Sequence, residues 1–218
     1  MPDVNNTELI TFENWTLRVR PAEKPGRLLL LIHGLTGDEN SMWIFTRGLP
    51  SGYWIIAPRA PHDAKPVGYS WRPPQFESLN QSSLAMLKSS VASLLQFVDG
   101  YASSVGLDAS QFDVLGFSQG AAVANLVAFF YPQRVRKAGI LAGFVLDGLR
   151  ELIAKRPLAG KLFFVAHGTQ DEMVPLERAR QSLVLLEQAG AQVTYCEDEV
   201  GHRVSASCLR ALEKFFAE

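Results

Sequence analysis

The pentapeptide Gly116-Phe117-Ser118-Gln119-Gly120 constrains this chain more than any other stretch. It follows a short apolar run, Phe112 to Phe117, interrupted by one Asp. It precedes Ala121-Ala122-Val123-Ala124-Asn125-Leu126-Val127-Ala128-Phe129-Phe130, small, apolar and rich in helix formers. Strand, sharp turn, helix is the context in which G-x-S-x-G pushes a serine hydroxyl out at the top of a sheet. A side chain at Gly116 or Gly120 would collide with a neighbouring strand or helix, so both positions want glycine. The bland alternative is a glycine-punctuated strand–helix connection with no chemistry. The flanking pattern favours a nucleophile.

The rest of the chain supplies the sheet. Leu28 to Ile32, Tyr53 to Ala57, Lys137 to Leu141 and Lys161 to Ala166 are strand-length apolar runs, as strands buried on both faces require. Val193 to Glu197 is the last strand. Asn14 to Arg20 alternates apolar and polar residues and is expected at a sheet edge. Helices are expected at Ser41 to Leu49, from Ser82 to Gly106, at Leu149 to Ala154, at Leu176 to Ala189 and at Val204 to Phe216. Alternating strands and helices predict an α/β fold, a mostly parallel central sheet with helices on both faces. With no repeat, linker or low-complexity tract, residues 1–218 read as one domain without a separate lid domain. Pro58 to Asn80 is the one long irregular stretch, with Tyr69, Trp71 and Phe76 among its prolines.

Composition excludes several classes. The net charge is −1, the charged fraction 20% and the apolar fraction 47%, with no basic stripe that would suggest nucleic acid. No apolar run is long enough for a transmembrane segment, and Met1 to Asn6 has no secretory pattern. Cys196 and Cys208 read as incidental, one strand-like and one on an apolar helical stripe. No Cys/His spacing suggests a metal. A cytoplasmic location is the resulting expectation.

A serine hydroxyl needs a neutral imidazole to take its proton. Of four histidines, His33 reads as packing beside the loop after the Leu28–Ile32 strand, His62 has no identifiable partner, and His167 reads as structural. His202 lies in the loop after the last strand, where a general base is expected. Its orienting carboxylate is expected at Asp171. Asp147 is the serious rival, and Glu172 and Asp198 are weaker ones. Oxyanion stabilisation needs two N–H donors. Gln119 is one, and Leu35, in His33-Gly34-Leu35-Thr36-Gly37, is the best placed second. No metal or organic cofactor is needed for this chemistry.

These residues resemble the phospholipase/carboxylesterase family of α/β-hydrolases, which includes acyl-protein thioesterases and small bacterial carboxylesterases. The likeness rests on Leu31-Ile32-His33-Gly34-Leu35, Ala57-Pro58-Arg59-Ala60-Pro61, Tyr69-Ser70-Trp71, Gly116 to Gly120, His167-Gly168 with Asp171 and Val174-Pro175, and Gly201-His202. It implies a Ser118–Asp171–His202 triad, favours Asp171 over Asp147, and implies oxyanion donors at Leu35 and Gln119. It also implies hydrolysis of carboxylic esters or thioesters, and allows a homodimer. Trp71, Leu35 and Val174 are the expected substrate contacts, with a loop anchor as the competing role for Trp71. Departures fall at Thr36, where the family has glycine, at Arg72-Pro73-Pro74, and in the acidic stretch before Gly201. A long-chain lysophospholipase or thioesterase is the nearest rival reading, and an amidase or peptidase uses the same residues. A hydrolase-like binding protein is the rival of another class.

Overall fold

Leu28 to Ile32 lies wholly out of solvent, and its alternate residues point into two different hydrophobic cores. That strand is the middle of the molecule. The computed structural model describes residues 6–22, 26–73 and 81–218. The strands are β1 (Glu8–Phe12), β2 (Trp15–Arg20), β3 (Arg27–Ile32), β4 (Tyr53–Pro58), β5 (His62–Asp63), β6 (Tyr69–Ser70), β7 (Phe112–Phe117), β8 (Val135–Leu141), β9 (Leu162–Gly168) and β10 (Gln192–Asp198). Eight form one sheet in the order β1-β2-β4-β3-β7-β8-β9-β10. From β4 to β10 neighbours run parallel, while β1 and β2 are antiparallel additions at one side.

The helices are α1 (Gln81–Ser104), α2 (Gln119–Phe130), α3 (Arg150–Ala154), α4 (Leu176–Gln188) and α5 (Ala206–Ala217). Leu28, Leu30 and Ile32 share a core with α1, α2 and α4. Leu29 and Leu31 share the other with Trp43 and with Leu212, Phe215 and Phe216 of α5. The period of two along a strand thus places a layer on each face. The observed architecture is the expected α/β one, with both faces covered.

Three expectations change. The Asn14–Arg20 strand is not an edge, because β1 pairs outside it from Glu8↔Val19 to Phe12↔Trp15. Phe12 pulls β1 onto the molecule by packing edge-on against Phe97 and Tyr101. The expected Ser41–Leu49 helix is only a single 3₁₀ turn, Trp43–Thr46. There the Trp43 indole donates to the Glu39 carbonyl (2.8 Å) and the Thr46 hydroxyl to the Trp43 carbonyl (2.9 Å). Such local bonds compete with helix propagation.

The third change concerns Cys196 and Cys208, which are not incidental. They form a disulfide between β10 and α5. Cysteine usage therefore gives no ground for a reducing compartment. Within the irregular stretch, β5 and β6 form a small hairpin; Pro74, Phe76 and Asn80 lie outside the described residues. Among the described residues, no helix is long and apolar enough to cross a membrane.

Candidate active site

The site lies at the carboxyl ends of β3, β7, β9 and β10, where an open α/β sheet leaves its crevice. Ser118 sits between β7 and α2 with φ 54° and ψ −115°. That is a positive-φ conformation an L residue adopts only under constraint. Its amide donates to the Leu141 carbonyl at 2.9 Å, and its carbonyl accepts from the Ala121 amide at 3.0 Å. The turn has no room for side chains beside it. A Cβ on Gly116 would lie 2.2 Å from the Gly120 carbonyl oxygen, and one on Gly120 would lie 2.1 Å from that of Ile32.

The structure brings Ser118, His202 and Asp171 together from three separate loops. His202 Nε2 lies 2.9 Å from Ser118 Oγ, and His202 Nδ1 lies 2.7 Å from Asp171 Oδ2. The carboxylate can only accept, so it fixes the proton on Nδ1 and leaves Nε2 free to accept from the serine. Asp171 is itself held. Its Oδ1 accepts the amides of Met173 and Val174 at 2.9 and 2.8 Å, and its side chain has no accessible surface. The loops that carry Asp171 and His202 are stitched to each other, Thr169 N–H donating to the Asp198 carbonyl and Gln170 N–H to the Val200 carbonyl. Gly168 permits this closeness, since a Cβ there would sit 2.2 Å from the Val200 oxygen. His167 lies fully buried behind Asp171 and donates from Nε2 to the Val174 carbonyl at 2.9 Å.

The rival acids are elsewhere. Asp147 is solvent-exposed and pairs with Arg178 at 3.1 Å. Asp198 accepts from Ser207 at 2.5 Å, and Glu172 is exposed.

A second layer of bonds holds the loop after β3. Thr36 N–H donates to the Tyr69 carbonyl, and Tyr69 N–H to that of Gly37. One residue before these fixed points stands Leu35, half exposed and lining the same surface as Phe117 of the serine turn. His33 is buried; its Nδ1 donates to the Gly34 carbonyl (2.7 Å) and its Nε2 accepts the Ala60 amide (3.0 Å). Burial holds its pKa below the ordinary histidine value, so it serves as a neutral spacer. Gln119 opens α2, where an amide has no carbonyl one turn back. Its side chain ties the layers together. Oε1 accepts the Trp71 amide at 2.9 Å, and Nε2 donates to Ser70 Oγ at 3.2 Å.

Trp71 has no accessible surface. Its indole donates to the His33 carbonyl at 2.8 Å, and its own carbonyl accepts from Ser90 at 2.5 Å, which makes it a loop anchor. Val174 is buried in the core, with its backbone serving Asp171 and His167. Of the three expected substrate contacts, the structure exposes Leu35 alone beside the serine. Sequence reasoning missed the Gln119 side chain and Ser70. The adjacency of Tyr69-Ser70-Trp71 to the elbow has no sequence signal beyond the motif itself.

Fold and geometry together define an α/β-hydrolase. The chain belongs to the phospholipase/carboxylesterase family, whose model matches residues 17–218, and its class is that of an ester hydrolase. It is 25% identical over 210 residues to acyl-protein thioesterase 1 of Emericella nidulans, covering 86% of this chain and 87% of that protein. Among solved structures, a Mesorhizobium loti carboxylesterase has the same fold at a TM-score of 0.80. Its identity is 24%, over 98% of this chain and 99% of that one. A Bacillus cereus carboxylesterase aligns at 0.78 and 22%, over 93% and 94%.

Proposed function

We propose that this protein hydrolyses carboxylic esters, with thioesters as a chemically equivalent extension, through an acyl-enzyme on Ser118. One observation carries the reading: the unbroken hydrogen-bonded line from Ser118 Oγ through His202 to a buried Asp171. Ser118 Oγ attacks the carbonyl carbon while its proton passes to His202 Nε2. Asp171 stabilises the imidazolium without taking the proton itself. The carbonyl oxygen gains charge and is met by the Leu35 and Gln119 amides, each donor contributing on the order of 3 kcal/mol. The intermediate collapses, and Nε2 gives its proton to the departing oxygen or sulfur. Water then enters, loses a proton to Nε2 and attacks the acyl-enzyme. Collapse of the second intermediate returns the proton to Ser118 and releases the acid.

Hydrolysis of p-nitrophenyl esters from acetate to palmitate tests this beside Ser118→Ala. The variant is expected to fold and to lose on the order of 10⁴-fold or more in kcat. Turnover within tenfold of wild type would overturn the assignment. Asp171→Asn should cost on the order of 10³–10⁴-fold, while Asp147→Asn, at an exposed pair, should stay within about twofold. A wild-type optimum at long chains would move the substrate to lipids or acylated proteins. Inactivity on every ester by folded protein would favour a binding role.

A further inference from the structure

A cavity of about 240 Å³ opens beside the serine turn, between the loop after β3 and the 3₁₀ turn Trp43–Thr46. Leu35 and Ile44 stand at its rim, 45% and 46% exposed although both are large and apolar. Met42, Phe45 and Phe117 line it further. Its two polar side chains, Thr36 and Ser41, already donate their hydroxyls within the loop, and its other lining side chains are apolar. Thr36 Oγ donates to the Leu35 carbonyl, Ser41 Oγ to Asp38, and Gly37 N–H to the Gly34 carbonyl. Such a wall selects hydrocarbon, because a polar group entering it would exchange water for unpaired surroundings.

The cavity also has a direction. Phe117, the residue before the nucleophile, stacks on Phe45 with ring centres 6.0 Å apart. Its centre lies 5.1 Å from that of the His202 imidazole. An apolar surface therefore runs from the base into the cavity. If His202 returns the proton to the leaving atom, as the proposed function requires, that atom stands next to the imidazole and the substituent it carries meets Phe117.

We propose that the Ile44–Phe45–Phe117 cavity binds the hydrocarbon part of the alcohol or thiol that leaves. It rests on the esterase reading above, and Ile44 is the specificity-determining residue at its mouth. Ile44 is half exposed on a short turn, so its replacement leaves the cores untouched.

The test uses two substrate series. In acetate esters of methyl, butyl and benzyl alcohol only the leaving group varies. In p-nitrophenyl acetate, butyrate and octanoate only the acyl group varies. The ratio of kcat/KM for benzyl over methyl acetate should fall about threefold in Ile44→Ala and about tenfold in Ile44→Asp, in the range expected for losing a few methylene contacts. The p-nitrophenyl series shares one leaving group, so its members should change by a common factor and keep their order. An unchanged benzyl-to-methyl ratio in Ile44→Asp would overturn the proposal. So would a reordered acyl series, which would assign the cavity to the acyl chain. Wild-type protein that turns over neither series would overturn the esterase reading and this inference with it, whereas an active enzyme with unmoved alcohol ratios overturns this inference alone.

Discussion

At Gln119 the backbone and the side chain serve different neighbours. The amide begins α2 beside Ser118, while the carboxamide accepts the Trp71 amide and reaches Ser70. Through Tyr69, the same segment holds Thr36 and Gly37, the two residues that follow Leu35. Thr36 stands there at φ 66°, a conformation costly for a β-branched residue that needs such holding. Gln119→Leu keeps the side-chain bulk and removes the acceptor. The Trp71 N–H is then buried without a partner, which costs about 1–3 kcal/mol. Steady-state kinetics and a thermal melt should show kcat about tenfold lower at nearly constant KM, with a lower Tm. Unchanged kcat would mean that the 69–71 segment holds the Leu35 turn without this bond. Nothing in Gly-Phe-Ser-Gln-Gly announces this use of glutamine, because the partner lies 48 residues earlier in the chain.

The element that carries His202 is the connection between β10 and α5, and the disulfide closes it. Cys196 is on β10 and Cys208 in the first turn of α5, where Ser205 caps the helix by accepting the Cys208 amide. His202 lies between the two cysteines. A loop of this length, 12 residues apart in sequence, is worth about 3 kcal/mol as a cross-link on chain-entropy grounds. The Thr169 and Gln170 bonds remain without it, so the base loop should loosen and not collapse. Cys196→Ser with Cys208→Ser, and wild type treated with dithiothreitol, should both melt earlier. Both should lose kcat several-fold with little change in KM, as expected for a displaced base and an intact binding surface. Equal melting and equal kcat in the oxidised, reduced and serine forms would show that the stitches to the acid loop suffice. The pairing was not legible in sequence, since each cysteine fits its own local pattern and only the packing of α5 against β10 brings them together. β1 was missed for a related reason. It is five residues long, with Glu8 and Leu9 exposed, and its anchorage is the distant pair Phe97 and Tyr101.

Across the whole molecule, one sheet separates chemistry from stability. Ser118, Asp171 and His202 follow the carboxyl ends of β7, β9 and β10, the positions that the sequence motifs mark for the proposed nucleophile, acid and base. The fold was legible because buried parallel strands must be continuous apolar runs. The supports were not, because they join residues far apart in the chain. At the amino end of β7, fully buried Asp113 accepts the Tyr53 hydroxyl (2.5 Å), the Arg136 guanidinium and the Lys137 amide, and so fastens β7 to β4 and β8 away from the site. His33 does the corresponding work at the carboxyl end, and it gives the molecule a pH signature. Burial holds its folded-state pKa below the unfolded value of about 6.5. Above pH 6.5 the imidazole is neutral in both states and its contribution is complete. As pH falls below that value, the unfolded chain binds a proton that the folded chain refuses, and stability is lost. Glu39, held below its ordinary value by Arg59 despite its burial, and Asp38, held low by bonds from Asn40 and Ser41 despite its partial burial, add to the loss only below about pH 4.5. Urea unfolding of wild type between pH 7.5 and 5 should therefore show a His33 contribution to stability that declines with falling pH. In His33→Gln the slope over that window should be shallower by up to one proton, about 1.4 kcal/mol per pH unit, whatever the variant's stability at pH 7.5. Parallel slopes for the two proteins would show that His33 accepts its proton in the folded state. The neutral spacer between Gly34 and Ala60 would then have to be abandoned.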